Sequence, residues 1–587
     1  MQLKDTKTND SGSNKMSGLS VVTALYEERL SDLYSPTLVA SGKALITHRS
    51  WDAGGYYKAV DLSLPVDWTM DPFKDRTWKW FLHQFEFARG LLAYDLNEDS
   101  QMGYELLKNY VQSWSEIYLH DLTDTDSAWH DHGSALRARN LLLLLAYMKC
   151  KNLQDDEFRS DLIELLEKHA RVLLEDSFYS KGTNHGLDQN IVLFEILKEL
   201  EGEISIVGAL DKAGKRINYE ISKAFAADGG HIENSAAYLT FGLKQAVDAL
   251  HIGRSYDGAN SLIRLPDGML ERATAALMHT IRPDGKLPLV GDTCDYLVRD
   301  IFRDVKPDNY QQFLYSANKG VRGNMPESTD LVLKDSGWAI FRSSWVIVPT
   351  QKFTDQLHCV FKCGFLSNYH RHDDDLSFVL FNKGKDWIIE GGLYKHSRTD
   401  PYRLYFRSAQ AHNISMPYRG AKATRILEES RDTGITFFER IGAVSSVRAQ
   451  SSMFSGYRST RELAYNRENQ KITIVDKITP VSPEKEQYID GLVKKNTVTY
   501  VTRFLVPEEK TVVFDRETGI CRVQDGNDIL SISCRGKIPG FRITAGQTKP
   551  EIKGWVSHRP NKLKPCQVIE FLHRGRHLDV GYELSWN

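Results

Sequence analysis

The 587-residue chain has almost no net charge, with 75 Lys and Arg against 77 Asp and Glu. That balance excludes a strongly basic nucleic-acid binder and a highly acidic solvating protein as whole-chain readings. Cysteine is scarce: the seven residues are odd in number and scattered. A disulfide scaffold is therefore not expected, and no paired CxxC motifs point to structural zinc. Cys359 and Cys363 stand in C-x3-C spacing without a second pair and read as strand thiols. No apolar run reaches the roughly 18 residues of a membrane-spanning helix, so no integral membrane association is expected. The N-terminal segment is polar where a signal peptide needs an apolar core. Its one candidate, residues 19–25, is broken by Ser20 and Thr23 and runs into Glu27 and Glu28. The expectation is a flexible segment before a helix, in a cytoplasmic protein by default. A periplasmic or secreted location is the alternative if this start lacks an export signal. No fixed-period repeat is present, which disfavours a solenoid.

What is present is ordinary globular composition, 41% hydrophobic and 26% charged, enough for a large core. The two halves follow different grammars. From about 75 to 300, apolar residues recur at helical spacing, as in EFRSDLIELLEKHARVLLE at 157–175. Similar patterns at 78–95, 103–118, 134–149, 189–200 and 234–250 are separated by short segments such as KGTNHG and AADGGH. Short connections make neighbouring helices antiparallel. From about 335 onward, runs such as HCVFKCGF, LSFVLFN, KITIVDKIT and TVTYVTRFLV alternate with polar turns and read as strands of an antiparallel sandwich. The segment 300–335 is polar and reads as the connection.

The segment richest in chemistry is His370-Arg-His-Asp-Asp-Asp-Leu-Ser-Phe378. In an extended chain His370, His372 and Asp374 share a face, an arrangement costly to bury unless it binds something. Asp373 and Asp375 read equally well as a solvated strand end. Glu390 ends the apolar run Trp387-Ile-Ile, and His412 follows in FRSAQAHN. Two imidazoles and a carboxylate suit zinc, and His372, Glu390 and His412 form the candidate metal set. In the helical half, Thr183-Asn184-His185-Gly186 could cap a helix or bear function. Glu233 and Tyr238 lie in DGGHIENSAAY, where the tyrosine could equally be core. Trp129, His132 and Arg137 lie in WHDHGSALRARN, which suits an acidic sugar, although helix-start charges explain it nearly as well.

Taken in order, WHDHGSALRARN, TNHG, DGGHIENSAAY, HxHxDxLSF, WIIEGG and FRSAQAHN resemble the heparinase II/III-like polysaccharide lyases. The resemblance implies an incomplete (α/α) toroid joined to an antiparallel β-sandwich, with the active site in the cleft between them. It divides the chain into an N-terminal segment at 1–40, a toroid at 41–325 and a sandwich at 326–587. It implies cleavage of an acidic, uronate-containing polysaccharide by β-elimination, with no organic cofactor. Asn184 matches the residue that neutralises the uronate carboxylate, with His185 beside it. Tyr238 matches the tyrosine that transfers protons, and His370 the active-site histidine. A further assisting tyrosine matches Tyr402, with Tyr394 as the alternative. Trp129, His132, Arg137 and Glu233 are the expected substrate contacts. His372, Glu390 and His412 match the ligands of a divalent metal, zinc in several relatives, although aspartate is more familiar where this chain has Glu390.

Elimination removes the proton at C5 of a uronate and expels the oxygen at C4. Asn184, with Arg137 or a protonated histidine, would stabilise the enolate-like charge. For Tyr238 to act as the base, neighbouring cations or hydrogen bonds would have to lower its pKa of about 10. The expected metal is structural or organising. Competing readings are a uronyl C5-epimerase on the same scaffold and a non-catalytic polysaccharide-binding protein. A glycoside hydrolase would need a carboxylate pair about 5–10 Å apart, and none stands out. The polymer and the oligomeric state are not legible.

Overall fold

The computed structural model describes residues 20–55, 57–397, 399–418, 432–481 and 498–586. The order is helices first and antiparallel sheets second, an incomplete (α/α) toroid followed by a β-sandwich. The chain divides into two compact units, one of residues 1–221 and 248–264, the other of residues 222–247 and 265–587.

In the first unit the expected helices form at Met102–Tyr118, Asp131–Cys150, Asp156–Leu174 and Asn184–Glu199. Two of their starts are set by the side-chain caps Asp155, which accepts from the Phe158 amide, and Thr183, which accepts from the Gly186 amide. The pattern at 78–95 becomes two helices, Arg76–His83 and Ala88–Glu98, because Phe85 takes a left-handed conformation (φ 60°). Its fully buried ring packs 5.8 Å from Trp68 and 5.7 Å from Trp114. That burial outweighs the modest strain of a positive φ.

Among the described residues, the second unit carries three antiparallel sheets of eight, five and five strands. Strand Tyr457–Asn466 alternates buried and partly exposed residues along most of its length, as a sheet with one covered face requires. Ile472 faces Leu584 and Ile474 faces Tyr582 across one pair of strands, in a core shared with Phe361, Phe378, Phe504 and Phe571. One of the two five-stranded sheets runs in chain order through Asp330–Leu333, Trp338–Arg342, His358–Lys362, Ser377–Asn382 and Lys385–Ile388. The segment read as a plain connection contains the helix Tyr310–Ala317, anchored by buried Phe313. Cys359 lies in a strand and Cys363 just beyond it; both are buried and free. Among the described residues, no helix is long and apolar enough to cross a membrane.

Arg461 couples this core to the loops that bear the histidines. Fully buried, it is paired with both oxygens of Asp476 at 2.6 and 2.7 Å, and donates to the carbonyls of Leu376 and Asn413 at 2.7 and 2.5 Å. Asn413 in turn donates to the Phe378 and Ile389 carbonyls and accepts from the Leu505 amide. Four separate chain segments are thus pinned beside His412.

Candidate active site

The segment 370–376 is not a strand. His370 adopts a left-handed conformation (φ 51°), and the chain turns before entering strand Ser377–Asn382. His370 and His372 still reach a common partner, Asp292. The His370 Nδ1 lies 2.8 Å from one Asp292 oxygen and the His372 Nε2 lies 2.7 Å from the other. Asp374 leaves that face and pairs with Lys362 at 3.1 Å, both buried. Asp375 is also buried, paired with Arg371 at 2.6 Å, so it is no solvated strand end.

Asp292 is the centre of the cluster. Arg403 clamps it with both terminal nitrogens, from the helix Pro401–Arg407, whose first turn is capped by Asp400. Burial opposes charge on Asp292. The hydrogen bonds from His370, His372 and Arg403 nevertheless hold its carboxyl well below the usual range. Gly291 precedes it at φ 61°, where a Cβ would meet the Asn234 carbonyl oxygen at 2.8 Å.

The ring of Tyr238 stacks on His370, centroids 3.7 Å apart and planes inclined by 22°. The tyrosine stands in the first turn of helix Ala236–Asp257. Just before that helix, Asn234 donates to the carbonyls of Ser367 and Tyr369 at 3.0 and 3.2 Å, fastening the segment to the turn that bears His370. Burial, then the charges of Glu233 and Asp292, push the Tyr238 phenol well above its usual pKa. The sequence made lowering by neighbouring cations or hydrogen bonds the condition for Tyr238 to act as the base; burial and the carboxylates of Glu233 and Asp292 outweigh Arg403, so that condition is not met in this structure. Glu233 is buried, with Oε2 3.5 Å from the His370 Nε2.

The expected metal residues also meet in this unit. His412 Nδ1 is hydrogen-bonded to Glu390, which also accepts from Ser377 Oγ and from Asn413 Nδ2 at 3.2 Å. The His372 and His412 rings lie 5.4 Å apart. His412 Nε2 is buried without a partner, the kind of orphaned nitrogen that an ion would satisfy. Burial works against its protonation, but the adjacent Glu390 raises the His412 pKa above the ordinary value. Among the described residues, the group whose donor atoms all fall within 4.8 Å is a different one: Asp292, His370 and His396. Tyr402 and Tyr394 pack edge-on to each other at 5.9 Å, with Tyr402 5.6 Å from Trp555, in a satellite apolar cluster.

In the first unit, His132 and His185 stack in parallel, centroids 4.3 Å apart. His132 Nε2 lies 2.9 Å from Asp188, and His185 Nδ1 3.1 Å from Asp131. Asn184 is half-buried beside them, its side-chain oxygen accepting from the His185 amide. Two expected sugar contacts are corrected here. Trp129 is 1% exposed, packs 4.9 Å from His169 and donates to the Tyr118 and Asp121 carbonyls, so its ring faces core rather than ligand. Arg137 is fully buried; it donates to the carbonyls of His83 and Ala128 and to His169 Nε2, and lies 4.0 Å over the Trp114 ring. Its donors are thus committed to acceptors within the protein.

Sequence reasoning missed Asp292, Arg403 and His396. Asp292 carried a usable signal, since it ends the apolar run Leu287-Pro-Leu-Val290-Gly291 just as Glu390 ends its own. Arg403 and His396 carried none.

Two family models match the chain: heparinase II/III N-terminus over residues 35–319 and heparinase II/III-like, C-terminal, over residues 325–586. A heparin-sulfate lyase of Pedobacter heparinus is 23% identical over 69% of this chain and 62% of its own length. One from Bacteroides stercoris is 24% identical over 60% of this chain and 55% of its own. The chain thus spans about three-fifths of the length of the curated relatives it matches. Among solved structures, heparinase III superposes with a TM-score of 0.76 at 14% identity, covering 96% of this chain and 88% of that one. The heparan sulfate lyase HepC of Pedobacter heparinus gives 0.68 at 16% identity, over 96% and 87%. With both of its parts matched in order, the chain belongs to the heparinase II/III-like family.

Proposed function

We propose that this chain is a polysaccharide lyase that cleaves a uronate-bearing glycosaminoglycan by β-elimination. Family membership and the names of its relatives support the reaction class. The observation that carries the reading is the stack of Tyr238 on His370 beside Asp292. In this reading His370 directs Nδ1 toward Asp292 and keeps Nε2 for the C5 proton. As the C5–H bond breaks, its electron pair forms the C4–C5 double bond and the C4–O bond breaks. Tyr238, whose surroundings keep the phenol protonated, gives its proton to the departing oxygen. Glu233, 3.5 Å from His370 Nε2, favours the imidazolium that forms.

Asn184, with His185 beside it, retains the role that the family resemblance implies, neutralising the uronate carboxylate. Zinc is the proposed ion, held through His412 Nε2 with His372 and Glu390 in the same cluster, and it would supply a fixed charge that organises this loop rather than a nucleophile. The test is ultraviolet absorbance of unsaturated uronate, with purified protein against a panel of acidic polysaccharides and Tyr238→Phe run in parallel. A rise with the wild type, lost in the variant, is expected. Exchange of the C5 proton with solvent deuterium without any alkene would overturn elimination in favour of epimerisation.

A further inference from the structure

The first unit carries a concave site that the candidate active site does not use. Leu250, Arg254, Ser261, Ile263 and Arg264 line an open cavity of about 560 Å³ that lies wholly within residues 248–264 of that unit. Arg254 stands in the last turn of helix Ala236–Asp257, and Arg264 ends the loop that follows it. Both residues are exposed, and among the described residues neither guanidinium has a carboxylate partner. The hydrogen bond from Arg264 Nε to the Ser261 carbonyl, at 3.4 Å, leaves the terminal nitrogens of that arginine for a ligand. Ser261 is 7% exposed; its hydroxyl accepts from the Ile263 amide at 3.1 Å and keeps its proton for a further acceptor. The adjoining Asp257 is paired with Lys198 at 2.6 Å, so it does not discharge the arginines. The loop is held in place from below. Asn218 accepts from the Arg264 amide at 2.8 Å and donates to the Leu262 carbonyl at 2.9 Å, tying the loop to helix Ala209–Ala224.

We infer that this cavity is a second, non-catalytic site for the acidic polysaccharide. It holds a sulfate or carboxylate group of the chain between Arg254, Arg264 and the Ser261 hydroxyl, with the sugar ring against Leu250 and Ile263. Two guanidiniums without counter-ions beside a buried hydroxyl donor complement an oxyanion, and the apolar wall suits the carbon face of a sugar better than a free inorganic ion. The identity of the polymer rests on the proposed lyase reading. The site is remote from the residue assigned to the uronate carboxylate: Lys198, bonded to Asp257 beside the cavity, and Asn184 lie at opposite ends of the 16-residue helix Asn184–Glu199, about 20 Å apart. A short oligosaccharide therefore fills one site at a time, whereas a long chain engages both and gains effective concentration at the second.

The test uses the full-length chain. Binding is read by surface plasmon resonance on immobilised heparan sulfate, chondroitin sulfate and hyaluronan, on the Tyr238→Phe background so that the polymer is not consumed. Arg254→Gln and Arg264→Gln should each weaken binding of the long polymer by about five- to tenfold, with the melting temperature unchanged. On the Tyr238 background they should raise KM for the polymer by a similar factor, while kcat, and KM for a tetrasaccharide, change less than about twofold. Lysine at either position, which keeps the charge and loses the planar fork, should recover part of the affinity. Arg89→Gln, which removes an exposed cation elsewhere in the unit, should change neither binding nor KM. Unchanged affinity in the double glutamine variant would overturn the inference, as would equal losses for tetrasaccharide and polymer, or an Arg89→Gln loss as large, which would mean diffuse attraction. Binding of none of the three polymers would overturn it too. If the polymers bind through these arginines but none is cleaved, the lyase reading falls while the site stands; if the protein cleaves and is indifferent to the arginines, the site falls while the lyase reading stands.

Discussion

Lowering the pH should unfold the sheet-bearing unit well before its carboxylates titrate, because that unit buries neutral histidines outside the candidate site. His231 packs edge-on to Phe225 and accepts from the Glu233 amide; burial first, and then His370, depress its pKa to about 3. His279 lies against Trp345, where burial and the Arg342 guanidinium bring it to about 3. His358 is bonded to the His279 carbonyl at 2.8 Å and is pushed well below the ordinary value, again by burial and Arg342. Unfolded, each histidine returns to a pKa of about 6.5. Below that pH the unfolded chain binds more protons than the folded one, so stability falls as pH falls. Between pH 7 and 5 each group costs about 2 kcal/mol, roughly 6 kcal/mol together. His412, whose pKa is raised in the fold, works in the opposite direction and offsets part of this loss. Domains are stable by only about 5–15 kcal/mol, so most of the margin disappears. Urea unfolding followed by tryptophan fluorescence at constant ionic strength should show a midpoint falling steeply from pH 7 to 5. Stability that is flat or rising over that interval would refute the reasoning.

Tyr238→Phe should reduce turnover by about 10²–10⁴-fold while the melting temperature barely moves, since phenylalanine preserves the stack on His370; comparable losses in both would mean that the ring is structural. Arg137→Leu removes the donors to two buried carbonyls and to His169, and should cost about 3 kcal/mol of stability without changing kcat of the folded fraction; the reverse outcome would restore a role at the substrate. Glu390→Gln takes the carboxylate from His412 and should weaken metal retention by about 10–100-fold, measured by metal content after dialysis. Chelation should lower the melting temperature of the wild type, and a protein unchanged in both melting and activity would remove the metal from the account.

The parts legible in the sequence were those written in local pattern. Helical periodicity placed Asp156–Leu174 within a residue of its ends, and alternation placed Lys471–Pro480. The motif at 370–378 marked the right segment, although its geometry differed from the extended chain expected. A strand would direct His370, His372 and Asp374 to one partner, whereas the left-handed His370 sends the histidines to Asp292 and leaves Asp374 for Lys362. Trp129 and Arg137 misled because composition cannot distinguish an aromatic and a cation prepared for a sugar from the same pair buried against Trp114 and His169. Only the backbone carbonyls that Arg137 satisfies decide between them, and no sequence pattern records a carbonyl.

Asp292 shows where local reading ends. It lies 78 residues from His370 and 111 from Arg403 in the chain, so no spacing rule connects them. Each of the three is unremarkable alone. The chemistry arises because a buried carboxylate is unaffordable without donors, and the fold brings three cationic or potentially cationic groups to it. The same requirement explains why Glu390 could be singled out from sequence. A carboxylate that ends an apolar run must be paid for nearby, and applied evenly the rule would also have flagged Asp292 after Leu287-Pro-Leu-Val290-Gly291. Searching for carboxylates whose burial is forced, and then for the cations that must meet them, is therefore a better route to this site than searching for histidines by spacing.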